Sequence, residues 1–310
     1  MIVVFESVLP IFALVLTGFA LRKSGAFAAA KWQIIEEVCF WLFFPALLIL
    51  TLARTDLGSL SLGRIGMTTL ATALSIMAVL LVLRPLLARW FNIGAAAYTS
   101  IFQTSTRWHA FTALAIVLKL YGDAGGAIVA IVLALLVPLL NVVNIVVLAI
   151  YASGIRPSLF QTLRAIAGNP IILSCILGIA INLSGMSLWP PIITYLDLIG
   201  RAALGSSLLA LGAGLSVNAL LNTSGEVLIG VFFKLIAAPA LTVLFGLYFG
   251  ITAFELGVLL VCASVPTSVN GFIVARKMGG DAELYAATST VQTVLSFVTI
   301  PLVIWLGGML

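Results

Sequence analysis

The sequence predicts an all-α polytopic membrane protein of ten transmembrane helices, and three observations lead there. Apolar residues make up 63% of the 310-residue chain. Asp, Glu, Lys and Arg together make up 8%, about a third of their share in a soluble domain and too little to cover a water-facing surface. The apolar residues fall in blocks of about 20, the length an α-helix needs to cross a bilayer, joined by mostly short connections.

The ten blocks lie at 2–21, 34–53, 65–83, 93–118, 126–151, 170–188, 191–217, 227–250, 254–275 and 284–307. The first ends at Arg22-Lys23 and lacks a basic leader and an evident cleavage site, so it reads as a retained helix rather than a signal peptide. Loops alternate between two sides. One side carries Arg22, Lys23, Lys31, Arg84, Arg89, Arg156, Arg164, Arg276 and Lys277, the other only Arg54, Arg64 and Lys119. The basic side is cytoplasmic by the positive-inside rule, which puts both termini outside. This scatter accounts for the formal charge of +5 and leaves no basic patch for nucleic acid. Cys39, Cys175 and Cys262 lie inside apolar blocks without ligand spacing and read as small core residues.

The two halves resemble each other. Pro10-Ile11, Gly18-x-Ala20 and Ser24-Gly25 match Pro170-Ile171, Gly178-x-Ala180 and Ser184-Gly185 at an offset of 160. Lys119, Gly122, Asp123 and Ala124 match Lys277, Gly280, Asp281 and Ala282 at an offset of 158. Five helices per copy is an odd number, so the second copy enters the membrane from the opposite face. The predicted organisation is a first repeat over 1–155 and a second, inverted repeat over 165–310. Inverted repeats are a mark of secondary transporters, whose site lies at the midplane between the copies.

A polar side chain deep in a span is costly and calls for a reason. The densest cluster is in the fourth block, from Gln103 through Thr106, Arg107, Trp108 and the single His109 to Thr112. Its counterpart in the ninth is Ser264-Val-Pro266-Thr267-Ser268-Val-Asn270-Gly271. Pro266 lacks an N–H and disfavours helical backbone at Val265. That composition predicts a discontinuous helix lining a cavity, where irregular backbone is tolerated at membrane depth. Crossed broken helices 4 and 9 would turn half-helix N-termini, with their positive dipole ends, toward an anion. Arg107 suits a carboxylate through its bidentate fork; the alternative is a structural partner within the bundle. His109 has three open roles: proton coupling, hydrogen bonding to substrate, or packing. The expected substrate-binding set is Arg107, His109, Thr106, Thr112, Pro266, Thr267, Ser268 and Asn270, supported by Gln103, Asn141 and Gln292.

Other polar residues have plainer readings. Asp197 and Arg201, four apart, are expected to pair on one helix face. Lys234, two turns inside the eighth block, is expected to snorkel to the cytoplasmic surface. Glu36 and Glu37 are placed at the start of the second block, where negative charge complements a helix N-terminus. Gly212 and Gly214 allow either a close helix approach or a bend.

Three segments together resemble the C-terminal signature of the auxin efflux carrier family: Pro266-Thr-Ser-Val-Asn270, Ala275-Arg-Lys-Met-Gly-Gly-Asp281-Ala282, and Gln292-Thr-Val-Leu-Ser-Phe-Val-Thr-Ile-Pro301. Arg107-Trp-His109, Val137-Pro-Leu-Leu-Asn141, Asn169-Pro170 and Leu211-Gly-Ala-Gly-Leu215 are similar to its bacterial, malonate-transporter-like branch. The resemblance covers essentially the whole chain. It implies a transport part, 65–151 and 227–310, moving against a scaffold, 1–57 and 170–217, in a bacterial inner membrane. It implies a small organic anion as substrate: a dicarboxylate such as malonate or malate, or an amphipathic monocarboxylate such as auxin. The family typically has an asparagine in the first crossover, where this chain has His109. Plant members also have a proline there, and none occurs between Gly94 and Lys119. The first crossover is therefore expected to be less sharply broken than the second.

Rival classes lack their motifs. No GxSG, HExxH or DDxxD occurs, so an intramembrane enzyme is not expected. Channels assemble rings of identical groups, whereas here two unlike helices converge; an anion channel stays as the alternative. The reading is a secondary active or facilitative transporter that moves a small organic anion by alternating access. No cofactor or metal is implied. The coupling ion (H+, Na+ or none) and the assembly state, a homodimer included, are open.

Overall fold

A computed structural model describes residues 2–153, 164, 167–217, 220, 223–268 and 270–308; Arg156, counted above among the cytoplasmic basic residues, lies outside them. Among the described residues every regular element is helical. Six stretches are long and apolar enough to cross a membrane: Lys31–Arg54, Leu62–Trp90, Ala95–Ala152, Pro190–Ala213, Gly225–Phe249 and Ala282–Gly307. Large apolar side chains such as Leu16, Trp41, Val82 and Tyr248 stand exposed on the outside, as a lipid-facing surface requires.

In chain order the helices are α1 (Ile2–Lys23), α2 (Ala29–Val38), α3 (Phe44–Arg54), α4 (Leu62–Trp90), α5 (Ala95–Thr106), α6 (Ala110–Leu148), α7 (Pro170–Ser184), α8 (Pro190–Ala213), α9 (Gly225–Phe232), α10 (Ala238–Phe249), α11 (Ala253–Ser264), α12 (Asn270–Lys277) and α13 (Ala282–Gly307). Two of the joints are π-helical turns, Cys39–Phe43 between α2 and α3 and Phe233–Ala237 between α9 and α10. Each precedes a proline, Pro45 or Pro239. A proline supplies no N–H and crowds the turn before it, and a widened turn accommodates both effects. Within α6 the chain bends at Gly122, whose φ of 65° is open to glycine and strained for a side chain.

α1 packs along α8, and α3 along α7. These contacts bring backbone against backbone. A Cβ on Gly18 would lie 1.9 Å from the Leu209 carbonyl oxygen, and one on Gly212 1.8 Å from that of Val15. On the other pair, a Cβ on Gly178 would lie 3.1 Å from the Ile49 carbonyl oxygen. The two contacts are images of each other: Gly178 follows Gly18, and Leu209 follows Ile49, by the same 160 positions found in the sequence. Of the two readings for Gly212, close approach is the one observed, while Gly214 caps α8. Asp197 and Arg201 pair as expected, Oδ2 to Nε at 2.7 Å, on an exposed face of α8.

The central feature is a pair of interrupted helices. α5 and α11 each run for 12 residues, start 158 positions apart, and stop at an extended residue. That residue is Arg107 (φ −69°, ψ 156°) in one and Val265 (φ −69°, ψ 153°) in the other. The first break is therefore as sharp as the second, which corrects the expectation drawn from its missing proline. Hydrogen bonds replace the proline. The His109 N–H donates to the Pro266 carbonyl at 2.7 Å, and the His109 ring caps α6.

The glycine contacts give a direct test. Gly212→Leu and Gly18→Val are expected to destabilise the protein in detergent by at least about 1–3 kcal/mol, the cost of overpacking, because backbone cannot yield as a side chain does. Gly63→Ala, which meets nothing within 4 Å, is expected to leave the melting temperature unchanged.

Candidate functional site

A cavity of about 390 Å³ opens at the two breaks. One wall comes from the first break and the N-terminal turn of α6 (Arg107 to Phe111), with Asn141 farther along that helix, and Ser268, Ile273 and Val274 from the second break and α12. The facing wall comes from Gln33, Glu36 and Glu37 of α2, Asn169 and Ile171 at the start of α7, and Ser207 of α8. The N-terminal turn of α6 thus faces this space, and α12 contributes Ile273 and Val274 to its wall. A helix N-terminus is equivalent to roughly half a positive charge.

Arg107 is buried, 7% exposed. Its Nε donates to Gln103 Oε1 at 3.2 Å and a terminal nitrogen donates to Asn141 Oδ1 at 3.3 Å. Both partners are neutral amides, and Arg107 makes no ion pair among the described residues. The guanidinium is held in place while its charge stays uncompensated. The structure gives Arg107 oriented supports but no counter-charge among the described residues.

His109 has a local task as well. Its Nδ1 accepts from the Thr112 N–H at 3.3 Å and lies 2.9 Å from Thr112 Oγ1. The acceptor role of Nδ1 puts the ring proton on Nε2. The ring packs edge-on against Phe111 and lines the cavity.

Gln292 joins the two breaks from behind. Fully buried, its Oε1 accepts from the Thr267 N–H at 2.9 Å, and its Nε2 donates to the carbonyls of Thr104 at 3.1 Å and Gly230 at 2.9 Å. Tyr285, also fully buried, donates its hydroxyl proton to the Ser268 carbonyl and lies 3.0 Å from Thr267 Oγ1. A Cβ on Gly271 would fall 2.2 Å from the Tyr285 oxygen, so glycine is what lets α12 approach it. Thr106 bonds Asn144 Oδ1 at 3.2 Å.

Of the expected binding set, Arg107, His109 and Ser268 line the cavity, as does Asn141. Thr112, Pro266 and Thr267 support the breaks instead, through the bonds described above. Thr106 faces a second, smaller cavity behind them. Asn270 begins α12, but its side chain lies outside the described residues. Sequence reasoning missed three participants. Glu36 and Glu37 stand in the last turn of α2 and line the cavity; the assumed start of the second span was about a turn late, so they do not serve a helix N-terminus. Tyr285 carried no signal, since a tyrosine in an apolar span is ordinary. Lys234 is 4% exposed and faces the second cavity, so it does not snorkel; the π-helical turn that holds it points it inward.

Long apolar helices around a cavity lined by Arg107, amides and the Glu36 and Glu37 carboxylates define a membrane protein with a polar interior site. Residues 141–304, just over half of the chain, match the family model described as membrane transport protein. The chain belongs to this family, the auxin efflux carrier family whose C-terminal signature it resembles. It is 25% identical over 300 residues to a Rhizobium meliloti (strain 1021) protein named "Putative malonate transporter", covering 94% of this chain and 92% of that one.

Removing the clamp tests how the breaks are held. Gln292→Ala takes away the partner of the buried Thr267 N–H and of the Thr104 carbonyl, at about 1–3 kcal/mol each, while the Gly230 carbonyl keeps the Phe233 N–H. A drop in melting temperature larger than that of Gln103→Ala, measured in the same detergent, is the expected outcome.

Proposed function

We propose that the protein carries a small dicarboxylate such as malonate across the bacterial inner membrane by alternating access. Arg107 and the N-terminal ends of α6 and α12 hold the anion. The observation that carries this reading is the charge balance of the cavity wall. Arg107, which makes no ion pair among the described residues, and the N-terminal end of α6 make this wall positive and suited to a carboxylate, with Glu36 and Glu37 on the wall opposite. The similarity to the Rhizobium meliloti protein supports the same substrate class.

The proposed architecture is ten membrane helices in two inverted five-helix repeats. In this scheme α2 with α3 forms the second helix, α5 with the first part of α6 the fourth, α9 with α10 the eighth, and α11 with α12 the ninth. The matched glycine contacts and the equal lengths and end conformations of α5 and α11 support it. The scaffold comprises 1–57 and 170–217, and the transport part 65–151 and 227–310. Arg107, the α6 terminus and Ser268 belong to the transport part, whereas Glu36 and Glu37 belong to the scaffold. A dicarboxylate is then attracted to the part that moves and repelled by the wall that stays, which favours carriage over fixed binding. The distribution of basic loops puts both termini outside.

Glu36 and Glu37 favour one second reading. A zwitterion could place its carboxylate on Arg107 and its ammonium on the α2 carboxylates. Exchange in proteoliposomes separates the two. Wild-type protein loaded with unlabelled malonate is expected to accelerate uptake of radiolabelled malonate, and unlabelled glycine inside is expected to have no effect. Arg107→Ala is expected to raise the KM for malonate about tenfold or more, the loss of a charged hydrogen bond of about 1.5–3 kcal/mol. Exchange driven by glycine and not by malonate would transfer the assignment to the zwitterion.

A further inference from the structure

Behind the crossing, on the side away from the Arg107 cavity, lies a second cavity of about 60 Å³. Trp108 lines both spaces and stands between them. This smaller space has a distinctive lining. Ser105 and Thr106 come from the C-terminal end of α5, and Cys262 and Ala263 from the C-terminal end of α11. Thr69 and Thr72 of α4 and Lys234 complete its polar surface, with Thr242 of α10.

Three hydroxyls here, those of Thr69, Thr72 and Ser105, are buried without any hydrogen-bond partner. Each of these residues is at least nine-tenths buried, as is Lys234. Lys234 makes no ion pair and no hydrogen bond among the described residues, and no Asp or Glu lines the space. An uncompensated charge in the membrane interior needs a physical partner.

What faces Lys234 is the field of two helix ends rather than a bonded acceptor. The last carbonyls of any helix lack intrahelical donors, and each C-terminus is equivalent to roughly half a negative charge. Two C-termini, α5 and α11, therefore present about one negative charge, which one ammonium balances. Where half-helix C-termini and hydroxyl oxygens converge at the midplane, the matching ligand class is a small monovalent cation. The two faces of the crossing are electrostatic opposites: N-termini toward the Arg107 cavity, C-termini toward Lys234.

We propose that the smaller cavity is a monovalent-cation site and that the chain fills it with its own Lys234 ammonium, in place of a bound sodium ion. The lysine is a tethered counter-ion that holds the C-terminal ends of α5 and α11 together. The protein accordingly has no need of sodium, for stability or for exchange. Shortening the side chain to a hydroxyl vacates the site and leaves a set of neutral oxygens that sodium can occupy.

The test compares wild type, Lys234→Thr, Lys234→Met and Lys234→Arg in detergent, in sodium chloride or N-methyl-D-glucamine chloride at equal ionic strength. Wild-type melting temperature is expected to be the same in both salts. Lys234→Thr is expected to melt lower than wild type in N-methyl-D-glucamine and to regain roughly 2–4 °C in sodium, the size of a modest ligand-linked stabilisation. Lys234→Met, which keeps the bulk and loses the charge, is expected to melt low in both salts, and Lys234→Arg to stay closer to wild type than Lys234→Met. A sodium-dependent wild type, or a Lys234→Met variant as stable as wild type, overturns the proposal. So does wild-type stability that falls when gluconate replaces chloride, since an anion would then occupy the space. If Lys234→Thr does not fold, the wild-type salt comparison and Lys234→Met still decide. The role in exchange rests on the transport reading and is measured separately, as malonate exchange with and without sodium. Failure of malonate exchange under every condition counts against that reading and leaves the melting comparison to judge the lysine.

Discussion

Everything in this molecule depends on breaking two helices inside a helical bundle, where most of the freed backbone must be paired by the protein itself. Each interruption releases backbone N–H and carbonyl groups into an apolar interior, where an unpaired group costs several kcal/mol. The structure meets that constraint by making the breaks serve each other. The N–H of His109, in the first break, donates to the carbonyl of Pro266, in the second. Gln292 then ties the Thr267 N–H to the Thr104 carbonyl across the same junction. Neither break is self-sufficient, and the side chains that make the crossing durable lie partly on helices outside it.

The crossing also sorts charge. A helix interrupted at mid-membrane exposes a negative end and a positive end within a few residues, and two interrupted helices crossing there can group like ends together. The N-terminal end of α6 and residues of α12 share the larger cavity with Arg107, and the C-terminal ends of α5 and α11 share the smaller one with Lys234. The two cationic side chains have opposite tasks. Arg107, supported by the amides of Gln103 and Asn141, is proposed to meet an anion. Lys234 is proposed to take the place of a cation.

Much of this was legible in the sequence, because membrane insertion imposes simple rules. Apolar blocks of helical length gave the fold class, and Pro266 with its small polar neighbours marked one break. The first break was marked only by its polar density, since it is held by hydrogen bonds that no local pattern announces. The offset of 160 reappears as contacts, with Gly18 on Leu209 mirrored by Gly178 on Ile49, and that of 158 as the spacing of α5 and α11. Arg107 stood out because a buried guanidinium is rare and costly. Lys234 and the Glu36–Glu37 pair were misread for one shared reason: their meaning depends on which way a helix face turns. For Lys234 a π-helical turn sets that direction, and for the glutamates the true start of α2 does. Tyr285 and the role of Thr106 depend on tertiary proximity alone.

The central claim is that the anion sits between the N-terminal ends of the broken helices, and a cryo-EM map of the protein in nanodiscs saturated with malonate tests it most directly. The account predicts density in the larger cavity with one carboxylate in contact with the Arg107 guanidinium and beside the first turn of α6. Ligand density in the smaller cavity beside Lys234, or a larger cavity without ligand density at saturating malonate, would contradict it.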